Sequence, residues 1–355
     1  MRIAFALAGL GGFNAHGAGF LAAATKWGVE PELVTATSGQ ILVLADWLAT
    51  GHPCAHLSFA EPGVNAAAAQ LKIAVSGYPG VFRPAFPEAL FRFVSPNVHG
   101  DLRDRLADLF LPAQQYVPQR TEADFEGIAA TLNGSRIGVV FNTYDPKQGT
   151  GFLYGNDAAR TILPKQKALP NAHAARLRQS AHRHDLRYVS EHKSERTIHP
   201  ITVEAVKSAL WLSLYGFHGM PAGQIDGAYH RSCIVSELHE FGRIFVVRPL
   251  ADGWHGREPA NWFQVQDWDT EMWFSVGYKA EVAGLLRIND LIDAGAISDG
   301  QFRKVDLVEI EPETPAGYFH YFVERKDVYE QAFAIAEEAF ESLGLAKPGA
   351  GPVAA

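Results

Sequence analysis

Cysteine is scarce in this chain of 355 residues: there are two, Cys54 and Cys233, far apart and without a Cys-x-x-Cys pair. Their scarcity excludes a disulfide framework and a zinc knuckle, and it fits a reducing compartment. Basic charge is also in short supply, with 31 Lys and Arg against 39 Asp and Glu and a net charge of −8 with histidine neutral. Binding to nucleic acid depends on clustered Lys and Arg that neutralise phosphates, and no local run supplies such a patch, so no nucleic-acid partner is expected. A basic helix for a membrane surface is missing too. Nor is there an apolar run of about 18 residues, so no helix is expected to span a bilayer. The apolar opening Met1 to Ala8 runs straight into Gly9-Leu10-Gly11-Gly12 without a cleavage site. It reads as a buried strand, and the protein is expected to be cytoplasmic. What remains, with 47% hydrophobic and 20% charged residues, is a globular composition.

Residues 2–8 form a short apolar run of the kind that is buried on both faces of a sheet. A helical pattern follows from Ala15 to Trp27, then a strand at 33–36 and a helix from Gly39 to Ala49. Strand, helix, strand and helix in that order predict an α/β fold with a parallel sheet. Residues 52–118 interrupt the rhythm with prolines and the aromatics Tyr78, Phe82, Phe86, Phe91 and Phe93, and they read as an inserted cap, taken as about 52–130. A strand at 136–142 and a hairpin through 145–154 come next. The segment 158–200 is basic and histidine-rich, which suits a solvated face or contact with anionic lipid. Later elements are a helix at 203–215, a strand at 243–247, a long helix at about 271–294, a strand at 304–310 and a helix at 327–343. Trp262, Phe263, Trp268, Trp273 and Phe274 read as core at the start of the long helix. The end of the chain, 346–355, reads as a disordered tail. His182-Arg183-His184 lacks the further ligands a metal would need, so no metal is assigned.

Two segments fall where a strand gives way to a helix, the place at which open α/β sheets bind ligands. Gly9-Leu10-Gly11-Gly12 has so little side chain that its backbone N–H groups can cradle a pyrophosphate or an oxyanion. The dinucleotide fingerprint would require glycine where Asn14 stands and an acidic residue at the end of the second strand, and both are missing. Instead Ala36-Thr37-Ser38-Gly39-Gln40 places Ser38 on a strand-to-helix turn, which favours a nucleophile over an N-cap serine. Far along the chain, Asp226-Gly227-Ala228 puts a carboxylate at a glycine turn, where it can act as a general base or simply make the turn.

Taken together, the glycine loop, the Ser38 elbow and Asp226-Gly227-Ala228 resemble the patatin-like phospholipases. Gly19-Phe20-Leu21 stands where that family has Gly-Val-Leu, and the interval from Gly19 to Ser38 matches. The resemblance is strongest over residues 1–51 and 203–248. It implies a three-layer α/β/α sandwich over residues 1–345, with a mainly parallel central sheet and an inserted cap. It further implies a serine acyl-ester hydrolase acting on lipid, in which Ser38 is nucleophile, Asp226 is base and the loop from Gly9 to Gly12 is the oxyanion hole, with no cofactor. The expected partners are a lipid or other acyl-ester substrate and, transiently, a membrane surface. The chain departs from the family pattern at Ala36 and Gln40, which stand for the two elbow glycines, and at Phe13, where the family has arginine. Ser232 and Ile234 likewise replace an Asn and a Pro after the aspartate.

Three alternatives use the same residues differently. One is a binding protein that kept the patatin-like fold while its elbow drifted; another is an acyltransferase or thioesterase with the same nucleophile. A third is a Ser-His-Asp triad drawing on His16, His218, His230 or His239. A nucleotide-binding oxidoreductase is the weakest reading.

Overall fold

Short buried apolar runs alternate with helices at the start of the chain, and over the first 50 residues each becomes the element its pattern predicts. The computed structural model describes residues 1–9, 14–55, 57, 72, 75–78, 80–94, 106, 109, 112–163, 197–248, 258–260, 262–297, 303–312 and 325–345. Strand β1 (Ile3–Leu7) leads to helix α1 (Ala15–Trp27), strand β2 (Leu33–Ala36) and helix α2 (Gln40–Thr50). Gly28 at φ 65 and Gly51 at φ 73 end the two helices in the left-handed conformation that glycine adopts without penalty. A small antiparallel pair, β3 (Phe82–Pro84) with β4 (Tyr116–Pro118), and helix α3 (Phe86–Val94) lie in the interrupting segment. Helix α4 (Glu122–Gly134) starts at a capping box made by Thr121 and Asp124. Then come β5 (Gly138–Asp145), β6 (Thr150–Gly155), α5 (Asp157–Ile162), β7 (Ile198–Pro200), α6 (Val203–Ala209) and β8 (Ile225–Asp226). The chain continues through β9 (Arg243–Val247), α7 (Trp262–Asp293), β10 (Asp306–Ile310) and α8 (Lys326–Ser342).

The central sheet runs β10-β9-β1-β2-β5-β6-β7, parallel from β10 to β5. Its strands feed two apolar clusters by turns. Phe5, Leu7, Val34, Ala36, Phe245 and Val247 enter one, and Ala4, Ala6, Leu33, Ile244 and Val246 enter the other. Helices α1, α2, α4, α6 and α8 cover the first face, while α5 and α7 cover the second. This is an α/β sandwich, and its inner parallel strands β9, β1 and β2 are buried on both sides, while β10 at the edge is largely exposed or half-buried. Phe5 meets Phe20 edge to face with centroids 4.7 Å apart, which locks α1 onto the sheet. No helix among the described residues is long and apolar enough to cross a membrane.

Two elements differ from expectation for a physical reason. The helix expected over 203–215 stops at Ala209, because two residues later the Trp211 carbonyl turns to accept the Asp226 N–H at 3.0 Å. A 3-10 turn, Ser213–Tyr215, follows. The long helix begins at Trp262 instead of near 271, and Trp268 and Trp273 are 40% and 67% exposed where core was expected. Among its described residues the buried stripe is Ser275, Tyr278, Val282, Leu285 and Asn289, as one face of a helix against a sheet demands. The side chains of Trp262 and Phe263, the basic segment 164–196 and the tail 346–355 lie outside the described residues.

Candidate active site

Chain order reverses at β1: β2 was added on one side of it and β9 on the other. The crevice beyond the carboxyl ends of such strands is where α/β sheets hold ligands. After β2 the chain turns sharply at Ser38, which has φ 59 and is one of two non-glycine residues with positive φ among the described ones. An L-residue held there is strained, and the elbow bonds around it keep it in place. Thr37 N–H donates to Leu7 O at 3.2 Å, Gln40 N–H to Thr37 O at 3.2 Å and Ile41 N–H to Ser38 O at 3.0 Å. Helix α2 is capped by Gly39 without a side-chain cap bond, so Ser38 is not an N-cap serine. Its hydroxyl instead donates to Asp226 Oδ2.

That meeting follows from the sheet. Strand β5 has one edge filled by β6, which pairs with it from Val140 to Asp145. On the other edge β2 pairs with Gly138 to Phe141 and stops, and β8 takes up the vacated row at Thr143 and Tyr144. Asp226 therefore sits opposite Thr143, just past the point where the chain leaves β2 for the elbow. Asn142 fixes the turn that follows, donating from Nδ2 to Gly227 O at 3.1 Å and to Arg231 O at 2.9 Å. Gln224 anchors the approach by accepting from Thr143 Oγ1 at 2.7 Å and from Tyr154 OH at 3.0 Å. Asp226 Oδ1 accepts from the Ala228 N–H at 2.8 Å. Burial pushes the Asp226 carboxyl up to about 7, against the opposing pull of its bonds from Ser38 and Ala228.

The glycine loop is corrected at its first member. The Gly9 N–H donates to Ser232 O at 2.8 Å, so it is engaged and unavailable to an oxyanion. Gly9 has a steric role: a Cβ there would lie 2.4 Å from Thr37 O and 2.7 Å from the Ser38 Cβ. Leu10, Gly11, Gly12 and Phe13 lie outside the described residues. The Gly39 N–H, adjacent to Ser38 and at the start of α2, has no acceptor among the described residues. It joins the candidate donors, a position assigned on sequence only to the elbow. Gly9→Ala must spread the end of β1 from the elbow. It is expected to cost about 1–3 kcal/mol of stability, read by thermal unfolding, and to lower kcat/KM on a short-chain ester by about 10²-fold. Wild-type kinetics in that variant would refute the steric role.

Gln40, in place of the second elbow glycine, lies fully buried against α1. Gly17 makes the room, since a Cβ on it would come within 1.8 Å of Gln40 Oε1. The bulk added at the elbow is thus removed at α1. The Gln40 amide lies 3.1 Å from His16 Nε2, which also contacts Ala8 O at 2.8 Å. Burial pulls the His16 imidazole down to about 4, so it is neutral near pH 7. Neither this ring nor His230, stacked on Tyr144, nor His239, bonded to Ser236 O, stands between Ser38 and Asp226. The geometry is that of a dyad.

Ser38 opens on a cleft of about 850 Å³, counting its mouth. Leu42, Val43, Val81, Phe82 and Leu212 form apolar walls, while Asp46, Arg120 and Tyr215 bring polar groups that sequence reasoning did not single out. Of the cap aromatics, Tyr78 and Phe82 line it, whereas Phe86 and Phe91 are exposed at 64% and 70%. No protein-family model matches the chain, and no curated protein matches it.

Proposed function

We propose that this protein is a serine acyl-ester hydrolase of patatin-like type, acting on lipid acyl esters as one catalytic domain over residues 1–345 with a cap at about 52–130. The observation that carries the reading is the direct hydrogen bond from the Ser38 hydroxyl to the buried Asp226 carboxylate at a left-handed elbow. In the first half-reaction Ser38 Oγ attacks the ester carbonyl carbon as its proton passes to Asp226 Oδ2. Asp226 then protonates the leaving alcohol as the carbon–oxygen bond breaks, leaving an acyl-enzyme. Water adds to that intermediate, giving its proton to Asp226, and the acid is released as the proton returns to Ser38. The Gly39 N–H and the dipole of α2 favour negative charge developing beside Ser38. The apolar walls of the cleft suit an acyl chain, and a lipid substrate brings the enzyme transiently to a membrane surface.

A base must be ionised to accept a proton. With the Asp226 carboxyl held at about 7, kcat/KM is expected to climb along a limb centred there, falling about tenfold for each pH unit below it. A limb centred near 4 would show that a desolvated Asp226 is not the base. The reading as a whole is tested by a fluorophosphonate probe and intact mass. A single adduct on wild type, absent from Ser38→Ala, accompanies turnover of a short-chain ester; an adduct that persists in Ser38→Ala sinks it.

A further inference from the structure

Arg120 is the cation among the described residues that line the cleft. It follows β4 by two residues and is half-buried, yet among the described residues it makes no hydrogen bond and no ion pair. Burial pulls its guanidinium below the ordinary arginine value, opposed by the charges of Tyr215, Asp124, Asp46 and Tyr78. Even so it remains a cation at neutral pH, with five N–H donors in a fixed fork. A guanidinium removed from water without a bonded partner is unfavourable. A ligand anion entering the cleft supplies that partner through charge-assisted, bidentate hydrogen bonds. Asp46 lines the same cleft and offsets part of the positive field, acting on Arg120 through charge alone. The walls beside them, Leu42, Val43, Val81 and Leu212, fit an alkyl chain and offer no cationic alternative.

We infer that Arg120 determines specificity, selecting amphiphilic acyl esters whose cleft-bound portion carries an anionic group, a carboxylate or a phosphate. The inference rests on Ser38 being the acyl-ester nucleophile, since the substrate it describes is one presented to that hydroxyl. An alkyl chain lies along the apolar walls, and the anion is held by Arg120. Neutral esters of the same length lack the second anchor.

The experiment uses Ser38→Ala protein, in which binding is read without turnover. Isothermal titration compares decanoate, decyl phosphate and decanol below their aggregation concentrations. The better anion is expected to bind roughly 10- to 100-fold more tightly than decanol, with decyl phosphate ahead for a phosphate-bearing substrate and decanoate ahead for a carboxylate-bearing one. Adding Arg120→Met closes the gap, and Arg120→Lys retains part of it. If neither anion outbinds decanol, the inference is overturned before any Arg120 variant has to fold. A gap left intact by Arg120→Met also overturns it. The hydrolase reading fails separately, through a wild-type protein that neither takes up fluorophosphonate nor turns over any ester.

Discussion

Ser38→Ala is expected to lower ester turnover by about 10⁴-fold or more, because the atom that bonds to the acyl carbon is gone. That factor corresponds to about 5 kcal/mol of barrier. What survives is binding in the cleft and whatever the N–H donors contribute to water attack. The same position yields a second, opposite readout. Ser38 is held at φ 59, and alanine inherits that strain without the bond to Asp226. Glycine takes the left-handed conformation freely. Ser38→Gly should therefore be equally inactive yet more stable than Ser38→Ala by about 1 kcal/mol, measured by thermal unfolding. Equal stability of the two variants would mean that the elbow relaxes when the hydroxyl is removed, and that Ser38 is not held in place by its surroundings.

Much of the frame was legible because local chemistry dictates it. The apolar run at Ile3 to Leu7, the small residues of α1 and the glycines that end α1 and α2 each carry their own periodicity or stop signal. The elbow was legible too, since a serine between β2 and α2 has few other uses. The approach of Asp226 was not readable from either segment alone. It lies 188 positions from Ser38 in the chain, and it is delivered by β8, a strand of two residues and too short to show alternation. What places it is the vacancy that β2 leaves on the edge of β5, a property of the sheet as a whole. Gly9 was misread as an oxyanion donor for a similar reason, since its N–H partner, Ser232 O, comes from the far part of the chain. Asn142 stood at the end of the strand expected over 136–142, with nothing to say that its amide ties down Gly227 and Arg231. Arg120 belongs to no motif and no spacing, and only folding puts it beside the cleft.

Asp226→Asn separates catalysis from stability, because the two should move in opposite directions. Turnover is expected to fall by about 10³- to 10⁴-fold, since an amide cannot take the Ser38 proton. In the folded protein the carboxyl titrates at about 7, against 3.8 as its ordinary value. Folding therefore takes up a proton between those two pH values. The stability associated with the protonated acid is fully present below the lower value and is lost as pH rises through about 7. The loss approaches about 4 kcal/mol once the folded carboxylate is fully ionised. Asparagine does not ionise. Its oxygen can still accept from the Ala228 N–H, and its amide hydrogens can face the Ser38 oxygen as acceptor. The variant should thus melt higher than wild type at about pH 8, with the advantage shrinking towards about pH 5, where wild-type Asp226 is itself protonated. A variant that is less stable than wild type at the higher pH would show that ionising this carboxylate is not costly in the folded state. The base would then lack the raised affinity for protons on which the dyad depends.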